Sequence, residues 1–171
     1  MQKLLINGKK ELIGKISISG SKNATLPILA ATILSNKKVK LKNIPLVQDI
    51  FTMIKLLKFI GLKTTISSKK NILEVMNNGK NIKTIAPYKL VKTMRAGVLV
   101  LGPLLARYKN AKISLPGGCA IGTRPVDLHL FALKKLGAKI KIKNGYIIAE
   151  AKNGLKGTKI IFPNISVGAT E

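Results

Sequence analysis

An internal repeat constrains the fold of this chain more than any other feature of its sequence. Self-similarity at a fixed period is typical of folds assembled from copies of one structural unit. Ala24, Ala96 and Ala169, each near the start of a predicted helix, are 72 and 73 positions apart. We therefore expect two whole βαβαββ-like units and the start of a third. The residue pairs that recur 76 positions apart are Leu57 and Leu133, Gly61 and Gly137, Lys63 and Lys139, Ile66 and Ile142, Ile72 and Ile148, and Glu74 and Glu150.

Hydrophobic periodicity and turn residues predict the elements of each unit. In the first unit, Pro27 lies in the first turns of a helix, where proline is tolerated best, and Gly61 ends the second helix. The second unit is expected to open with one long helix, kinked near Pro103. A strand pattern at 16–19 precedes both units. The predicted helices span 23–34, 49–60, 89–106 and 125–136, and the other predicted strands span 39–41, 63–66, 72–75, 112–115, 139–142 and 146–149.

Composition is that of a folded protein. Hydrophobic residues make up 46% of the 171 residues, enough to bury a sizeable core. One cysteine and one histidine allow neither an internal disulfide nor a metal cluster. The N-terminus does not resemble a signal peptide, and no apolar run approaches the ~20 residues of a membrane span. These observations predict a soluble, cytoplasmic protein.

The charge balance is strongly basic, with 31 Lys+Arg, 6 Asp+Glu and a net charge of +25. This charge is typical of proteins that bind nucleic acid, anionic membranes or anionic metabolites, and also of proteins whose solvated surface is rich in lysine. The lysines are scattered over predicted strands and turns, without the stacking aromatics that single-strand binders use. We favour the surface interpretation. Arg95, Arg107 and Arg124 stand out, because arginine is the better bidentate phosphate ligand.

Two helix starts are candidate anion sites. At 20–23 a strand turns into a helix, where free N–H groups, the helix dipole and the charge of Lys22 would attract an anion. A plain helix cap by Ser21 or Asn23 explains the same residues without a ligand. Arg95 would take the place of Asn23 if the units stack with pseudo-symmetry, and an exposed helix charge is its alternative.

A glycine-rich segment at 115–129 is the third candidate. Its glycines allow unusual backbone angles and the close approach of a ligand. Arg124 stands at the start of a predicted helix and could hold a diphosphate. Cys119 lies in the loop, where nearby cations can make its thiol reactive. A lone cysteine is more often a small buried hydrophobe, but the glycine-rich loop, expected to be exposed, favours the reactive thiol here. His129 falls inside the predicted helix and is expected to be structural.

Five segments together resemble the signatures of the UDP-N-acetylglucosamine enolpyruvyl transferase family. The combination of Pro-Gly-Gly-Cys with Arg-Pro-Val-Asp-Leu-His is highly specific, and the related shikimate-pathway enolpyruvyl transferases resemble this loop poorly. The resemblance runs through the whole chain. The segments are Gly-Ser-Lys-Asn-Ala at 20–24, Met-Arg-Ala at 94–96, Pro-Gly-Gly-Cys-Ala-Ile-Gly at 116–122, Arg-Pro-Val-Asp-Leu-His at 124–129 and Ser-Val-Gly-Ala-Thr at 166–170.

The resemblance implies transfer of the enolpyruvyl group of phosphoenolpyruvate to the 3-hydroxyl of UDP-N-acetylglucosamine, with release of phosphate, at the first committed step of peptidoglycan synthesis. It implies that Cys119 donates a proton to the methylene carbon and is the target of fosfomycin. Lys22, also catalytic, and Arg124 would bind phosphoenolpyruvate, Asn23 the sugar hydroxyl, and Arg95 the sugar nucleotide. Neither cofactor nor metal is implied, and neither a specific nucleic acid nor a membrane is an expected partner. The remaining residues expected to contact the sugar nucleotide are Pro125, Val126, Asp127, Leu128, Asn164, Ile165, Ser166 and Val167.

The implied fold is an inside-out α/β barrel of βαβαββ repeats, of which this chain would hold an incomplete part. Residues 1–20 would belong with an absent second domain. Residues 21–171 would form part of the first domain, with units at 21–91 and 92–164 and a third beginning at 165–171. The carboxylate base and several substrate-binding arginines would lie in the absent part, so the isolated chain is expected to be inactive. The alternatives are a non-catalytic sugar-nucleotide-binding remnant and a basic nucleic-acid binder.

Overall fold

The computed structural model describes residues 3–8, 11–92, 94–115 and 126–170. Within them, helices and strands alternate as the repeat predicts. The α-helices are α1 (Lys22–Ala31), α2 (Gln48–Ile60), α3 (Tyr88–Val91), α4 (Leu101–Tyr108), α5 (Asp127–Lys135) and α6 (Val167–Thr170), the strands are β1 (Val39–Leu41), β2 (Lys63–Ser67), β3 (Ile72–Met76), β4 (Ile85–Ala86), β5 (Asn110–Ser114), β6 (Lys139–Lys143) and β7 (Tyr146–Glu150), and 3₁₀ segments span Thr32–Leu34, Ser68–Lys70 and Arg95–Val100.

Two sheets carry the repeat. The first has the antiparallel order β1-β3-β2, and in the second β5, β7 and β6 occupy the same relative places, with β4 added in parallel beside β5. The hairpins differ in register, because Thr65 pairs with Glu74 while its repeat equivalent Lys141 pairs with Ile148 rather than Glu150. A shift of two residues keeps each side chain on its original face, so both sheets bury the equivalent face.

The helices pack against the buried faces of the sheets in one continuous hydrophobic core. The longest helix, α2, is buried over most of its circumference, and five of its side chains are completely inaccessible. Burying a side chain of this size stabilises the fold by about 1.5–3 kcal/mol. The core of the molecule is therefore helical, with the sheets outside it. The inaccessible side chains of α2 are Ile50, Met53, Leu56, Leu57 and Ile60.

Gly61 ends α2 as the sequence predicts. Its φ of 119° is in the left-handed region, and its N–H donates to the carbonyls of Leu57 and Lys58. A Cβ atom here would also lie 2.9 Å from the carbonyl oxygen of Asn81. Only glycine satisfies both the conformation and the space.

The long helix predicted at 89–106 is wrong in detail, because the structure breaks it into α3, the 3₁₀ segment Arg95–Val100 and α4. The chain folds back so tightly that a Cβ atom on Gly97 would lie 3.1 Å from Cγ1 of Val91. Pro103 is the third residue of α4, in the first turn, where the missing N–H has no intrahelical partner to lose. The break therefore precedes the proline rather than following from it.

The strand predicted at 16–19 is not formed. Residues 11–19 are exposed and pair with none of the described strands, and Ile16 and Ile18 are 88% and 82% exposed. A strand needs a neighbour for its backbone hydrogen bonds, and the described structure supplies none here. Among the described helices, none is long and apolar enough to span a membrane.

A buried polar junction joins the two repeat units. Asn77, at the end of β3 and 1% exposed, donates from Nδ2 to the carbonyl of Ile33 at 2.7 Å and to the hydroxyl of Tyr108 at 2.9 Å. Arg107 donates to the same Ile33 carbonyl at 2.7 Å, and also to the side chain of Asn36. The end of the first helical segment is therefore held by both units, and Arg107 is a structural residue of this junction.

We predict that Asn77→Ala lowers the free energy of unfolding by about 1–3 kcal/mol, because it leaves buried polar groups without partners. Urea denaturation followed by circular dichroism measures the change. The neighbouring Asn78→Ala is the control: Asn78 is exposed, and within the described part of the chain its side chain makes a single local bond, which it accepts from the backbone N–H of Lys80. Equal effects of the two substitutions would contradict a buried junction.

Candidate functional site

The first candidate helix start, at α1, is capped by a serine. Ser21 accepts a hydrogen bond from the backbone N–H of Ala24 at 3.3 Å, and the hydroxyl of Thr25 donates to the Ser21 carbonyl at 2.7 Å. The cap leaves Lys22 and Asn23 exposed at the first two positions of α1. Both side chains therefore lie on the surface at the positive end of the helix dipole.

The start of α6 reproduces this cap bond for bond. Ser166 accepts from the N–H of Ala169 at 3.3 Å, and the hydroxyl of Thr170 donates to the Ser166 carbonyl at 2.7 Å. The repeat inferred from the sequence therefore extends to the hydrogen bonding of its helix starts. Asn164, Ile165 and Val167 around this cap are exposed.

The second copy of the helix start departs from this pattern. Arg95 begins a 3₁₀ segment, and the residue before it, Met94, makes no side-chain cap. The 3₁₀ segment that begins with Arg95 packs against α1. The side chain of Arg95 lies outside the described part of the structure.

Lys22 makes an ion pair across the helix starts of the first unit. Its Nζ atom lies 2.8 Å from Oδ2 of Asp49, which belongs to the first turn of α2. Both side chains are partly exposed, so the pair contributes little to stability. Its effect is positional, since it holds the ammonium group between two helix N-termini.

Gly20 sets the position of the cap. A Cβ atom on Gly20 would lie 1.8 Å from the backbone oxygen of Asn43, in the loop between β1 and α2. Asn43 is itself in the left-handed region, with φ of 55°. The absence of a side chain at Gly20 therefore lets the start of α1 rest directly on this loop.

The other two described segments of the predicted site meet where α5 and α6 pack together. Val126 precedes α5, and Asp127 and Leu128 are in its first turn. A Cβ atom on Gly168 of α6 would lie 3.8 Å from Nε2 of His129. The structure therefore brings 126–128 and 164–167 into one neighbourhood, and His129 lies inside α5 as expected.

The glycine-rich loop lies outside the described residues, and with it Cys119, Arg124 and Pro125. Their predicted roles stay predictions. A cavity of about 300 Å³ beside α5 and α6 is lined mainly by apolar side chains, among them Leu99, Leu133 and Phe162. It does not suit an anionic substrate, so the exposed helix starts remain the candidate site.

Asp49 is the residue of this site that the sequence reasoning missed, although a signal was present. The chain has 6 acidic residues. Asp49 and Asp127 each lie in the first turn of the second helix of a unit, and Glu74 and Glu150 are related by the same repeat. Because acidic residues are rare in this chain and recur at repeat-related positions, they are candidates for residues of a functional site.

The family model for EPSP synthase (3-phosphoshikimate 1-carboxyvinyltransferase) matches residues 6–171. Two relatives named UDP-N-acetylglucosamine 1-carboxyvinyltransferase match along the whole chain, one from Pelagibacter ubique at 62% identity and one from a Sulfurovum species at 54%. The chain spans 40% of the length of each.

Solved structures show the fold. The enolpyruvyl transferase NikO from Streptomyces tendae gives a TM-score of 0.69 over 81% of this chain and 29% of its own, at 17% identity. EPSP synthase from Acinetobacter baumannii gives 0.69 over 91% of this chain and 36% of its own, at 16% identity. The predicted enolpyruvyl-transferase fold is confirmed, with this chain forming part of it.

We predict that Ser21→Ala lowers the free energy of unfolding by about 1 kcal/mol, the usual contribution of a serine cap. Ser166→Ala is the matched control, because it removes the equivalent bond, the one that the side-chain oxygen accepts, from a four-residue helix. Since α6 can open without unfolding the core, its loss should leave the urea midpoint unchanged. Equal losses would mean that α6 unfolds together with the core.

We also predict that Gly20→Ala lowers the free energy of unfolding by about 1–3 kcal/mol, as overpacking does, because the start of α1 must move away from Asn43. Gly157→Ala provides the comparison, since a Cβ atom there meets nothing within 4 Å. Thermal unfolding measures both. A Gly20→Ala protein as stable as the original would show that the close approach to Asn43 is absent in solution.

Proposed function

The chain belongs to the EPSP synthase family, and from this premise we propose that it forms part of an enzyme that transfers the enolpyruvyl group of phosphoenolpyruvate to the 3-hydroxyl of UDP-N-acetylglucosamine. The observation that carries the proposal is the 62% identity, along the whole chain, to a relative named for this activity. The likeness to EPSP synthase from Acinetobacter baumannii is 16% and supports the fold alone. The sugar nucleotide is therefore the favoured acceptor.

The exposed start of α1 supports a role in binding phosphoenolpyruvate. Lys22 and Asn23 stand at the positive end of the helix, where an anion is stabilised by the dipole and by free N–H groups. In the structure the Lys22 ammonium donates to Asp49 at 2.8 Å. A bound phosphate would share the Lys22 ammonium group with Asp49 or would replace Asp49 as its partner. Because Asp49 is itself anionic, the phosphate would have to approach from the side of Lys22 and Asn23.

The chemical roles follow from the resemblance. The sugar 3-hydroxyl would lose its proton to the carboxylate base expected outside this chain, and its oxygen adds to C2 of phosphoenolpyruvate while C3 gains a proton that Cys119 would donate. The C2–O bond to phosphate then breaks and phosphate leaves, and C3 loses a proton to a base of the site, which restores the double bond. Arg124 would neutralise the anionic substrate during both steps.

The sugar nucleotide would lie along the starts of α5 and α6. There Pro125, Val126, Asp127 and Leu128 precede or open one helix, and 164–167 lead into the next. The packing of α5 against α6 supports a ligand that contacts both helix starts. Arg95 would contact the same nucleotide from the 3₁₀ segment.

The proposed reaction is the first committed step of peptidoglycan synthesis, which supports cell shape and division and takes place in the cytoplasm. Under the same proposal Cys119 would be the site of alkylation by fosfomycin. A non-catalytic sugar-nucleotide-binding protein is the second candidate, since the described helix starts serve binding as well as catalysis.

A chimera tests the proposal. The chain replaces the matching segment of the Pelagibacter ubique relative, and phosphate release from phosphoenolpyruvate is measured with UDP-N-acetylglucosamine or with shikimate 3-phosphate. We expect release with the sugar nucleotide only. Cys119→Ser should lower the rate by about a hundredfold to ten-thousandfold, the usual contribution of a general acid.

Two controls separate the alternatives. Lys22→Gln should weaken the binding of phosphoenolpyruvate, whereas Lys58→Gln, an exposed lysine of α2, should not. Release with shikimate 3-phosphate would reassign the acceptor. Binding of UDP-N-acetylglucosamine without any phosphate release would support the non-catalytic candidate.

A further inference from the structure

The outer face of the second sheet gathers lysines that are far apart in the sequence. Lys112 of β5 and Lys141 of β6 both pair with Ile148 of β7 and therefore flank it. Lys139 and Lys143 lie on β6 two residues to either side of Lys141. Laterally paired residues, and residues two apart in a strand, project from the same face. These four lysines, which we call the lysine face, therefore share one solvent-exposed surface.

Ion pairs distinguish the equivalent face of the first sheet from the lysine face. Glu74 lies 3.0 Å from Nζ of Lys38 and 3.9 Å from that of Lys40, and the hydrogen bond from Lys38 lowers the pKa of this carboxyl. Glu150, the repeat equivalent of Glu74, pairs with Lys139 in the register of β6 and β7 and so shares the lysine face, where it is one carboxylate against four lysines. Among the described residues, no carboxylate lies within 4.0 Å of any ammonium group of the lysine face.

A depression of about 560 Å³ continues the cationic surface toward the beginning of β5. It is lined by Lys109, Lys112 and Lys152 together with Glu150. Three lysines against one carboxylate make this depression net positive. The cationic area therefore extends from the edge strand β6 across the sheet.

The chemistry of this surface decides between anionic partners. Nucleic-acid surfaces offer aromatic rings for base stacking and arginines for bidentate phosphate contacts. On this face the aromatic ring that the described strands supply, Tyr146, is covered by Lys112, whose Nζ lies 4.8 Å from the ring centroid. Half-buried Ile148 lies at the centre of the face. Lysines around an apolar centre, on a broad sheet, fit the interface of a bilayer, where aliphatic stems contact the apolar boundary and ammonium groups contact headgroups.

We infer that the lysine face binds the surface of an anionic lipid bilayer, with phosphate headgroups against Lys112, Lys139, Lys141 and Lys143. This inference goes beyond the proposed enzymatic function and does not rest on it. It also departs from the sequence-based expectation of no membrane partner, and it groups lysines that the sequence analysis described as scattered. The strand register shows that these four are not.

Co-sedimentation of the full chain with vesicles tests the inference. We expect binding to equimolar phosphatidylcholine and phosphatidylglycerol and none to phosphatidylcholine alone. Replacing the four face lysines by glutamine should lower the partition coefficient by on the order of a hundredfold or more, since each contributes about fivefold. The matched control replaces Lys55, Lys58, Lys69 and Lys80, which are exposed elsewhere, and should change binding little. Equal losses would show that net charge alone is responsible and would overturn the inference.

Lysine acetylation of the unsubstituted chain, read by mass spectrometry, keeps the test independent of variant folding. Vesicles should protect the four face lysines and leave Lys55 and Lys58 reactive. Protection spread evenly over the surface would overturn the inference. So would a face variant that loses affinity for DNA or RNA oligonucleotides but keeps its affinity for vesicles, because the surface would then be a nucleic-acid site.

Discussion

The burial of helices rather than sheets is the constraint on which the rest of this structure depends. Because α2 is enclosed on most sides, the unpaired backbone N–H groups of the helices reach solvent at the helix starts. At the start of α1 these groups lie beside the exposed side chains of Lys22 and Asn23. The sheets, which shield the helices from outside, are left with an open face each. The helix starts therefore carry the groups that can bind a ligand, whereas the open faces of the sheets carry surface charge.

The sequence predicted the repeat, most elements and the caps because these depend on local patterns. Gly61 follows an apolar helical spacing, and Ser21 precedes the first helical residue, so each could be identified without knowing the fold. The break between α3 and the 3₁₀ segment could not, since it goes with a close approach of Gly97 to Val91 that only the folded chain reveals. The pairing of Lys22 with Asp49 joins residues 27 positions apart, and periodicity does not report such contacts. The gathering of Lys112 with Lys141 likewise depends on strand register.

The copies of the repeat have diverged unequally. The caps at Ser21 and Ser166 share their bonds and distances, whereas the second unit begins with a 3₁₀ segment at Arg95. The hairpins keep the same buried face despite a shift in register. Glu74 has lysine partners that Glu150 lacks among the described residues. Features that build the core are thus retained, and differences accumulate where a unit faces solvent or a ligand.

The shared carbonyl of Ile33 has a consequence for the order in which the chain folds. Asn77 reaches it across 44 residues and Arg107 across 74, so neither bond can form until the chain has grown well past the first helix. During synthesis the first unit can assemble its sheet before the second unit emerges, but the end of its helical segment remains incompletely held. Contacts of this sequence separation slow folding because loop closure precedes their formation. The first unit therefore cannot complete the hydrogen bonds at the end of its helical segment until the second unit has been synthesised.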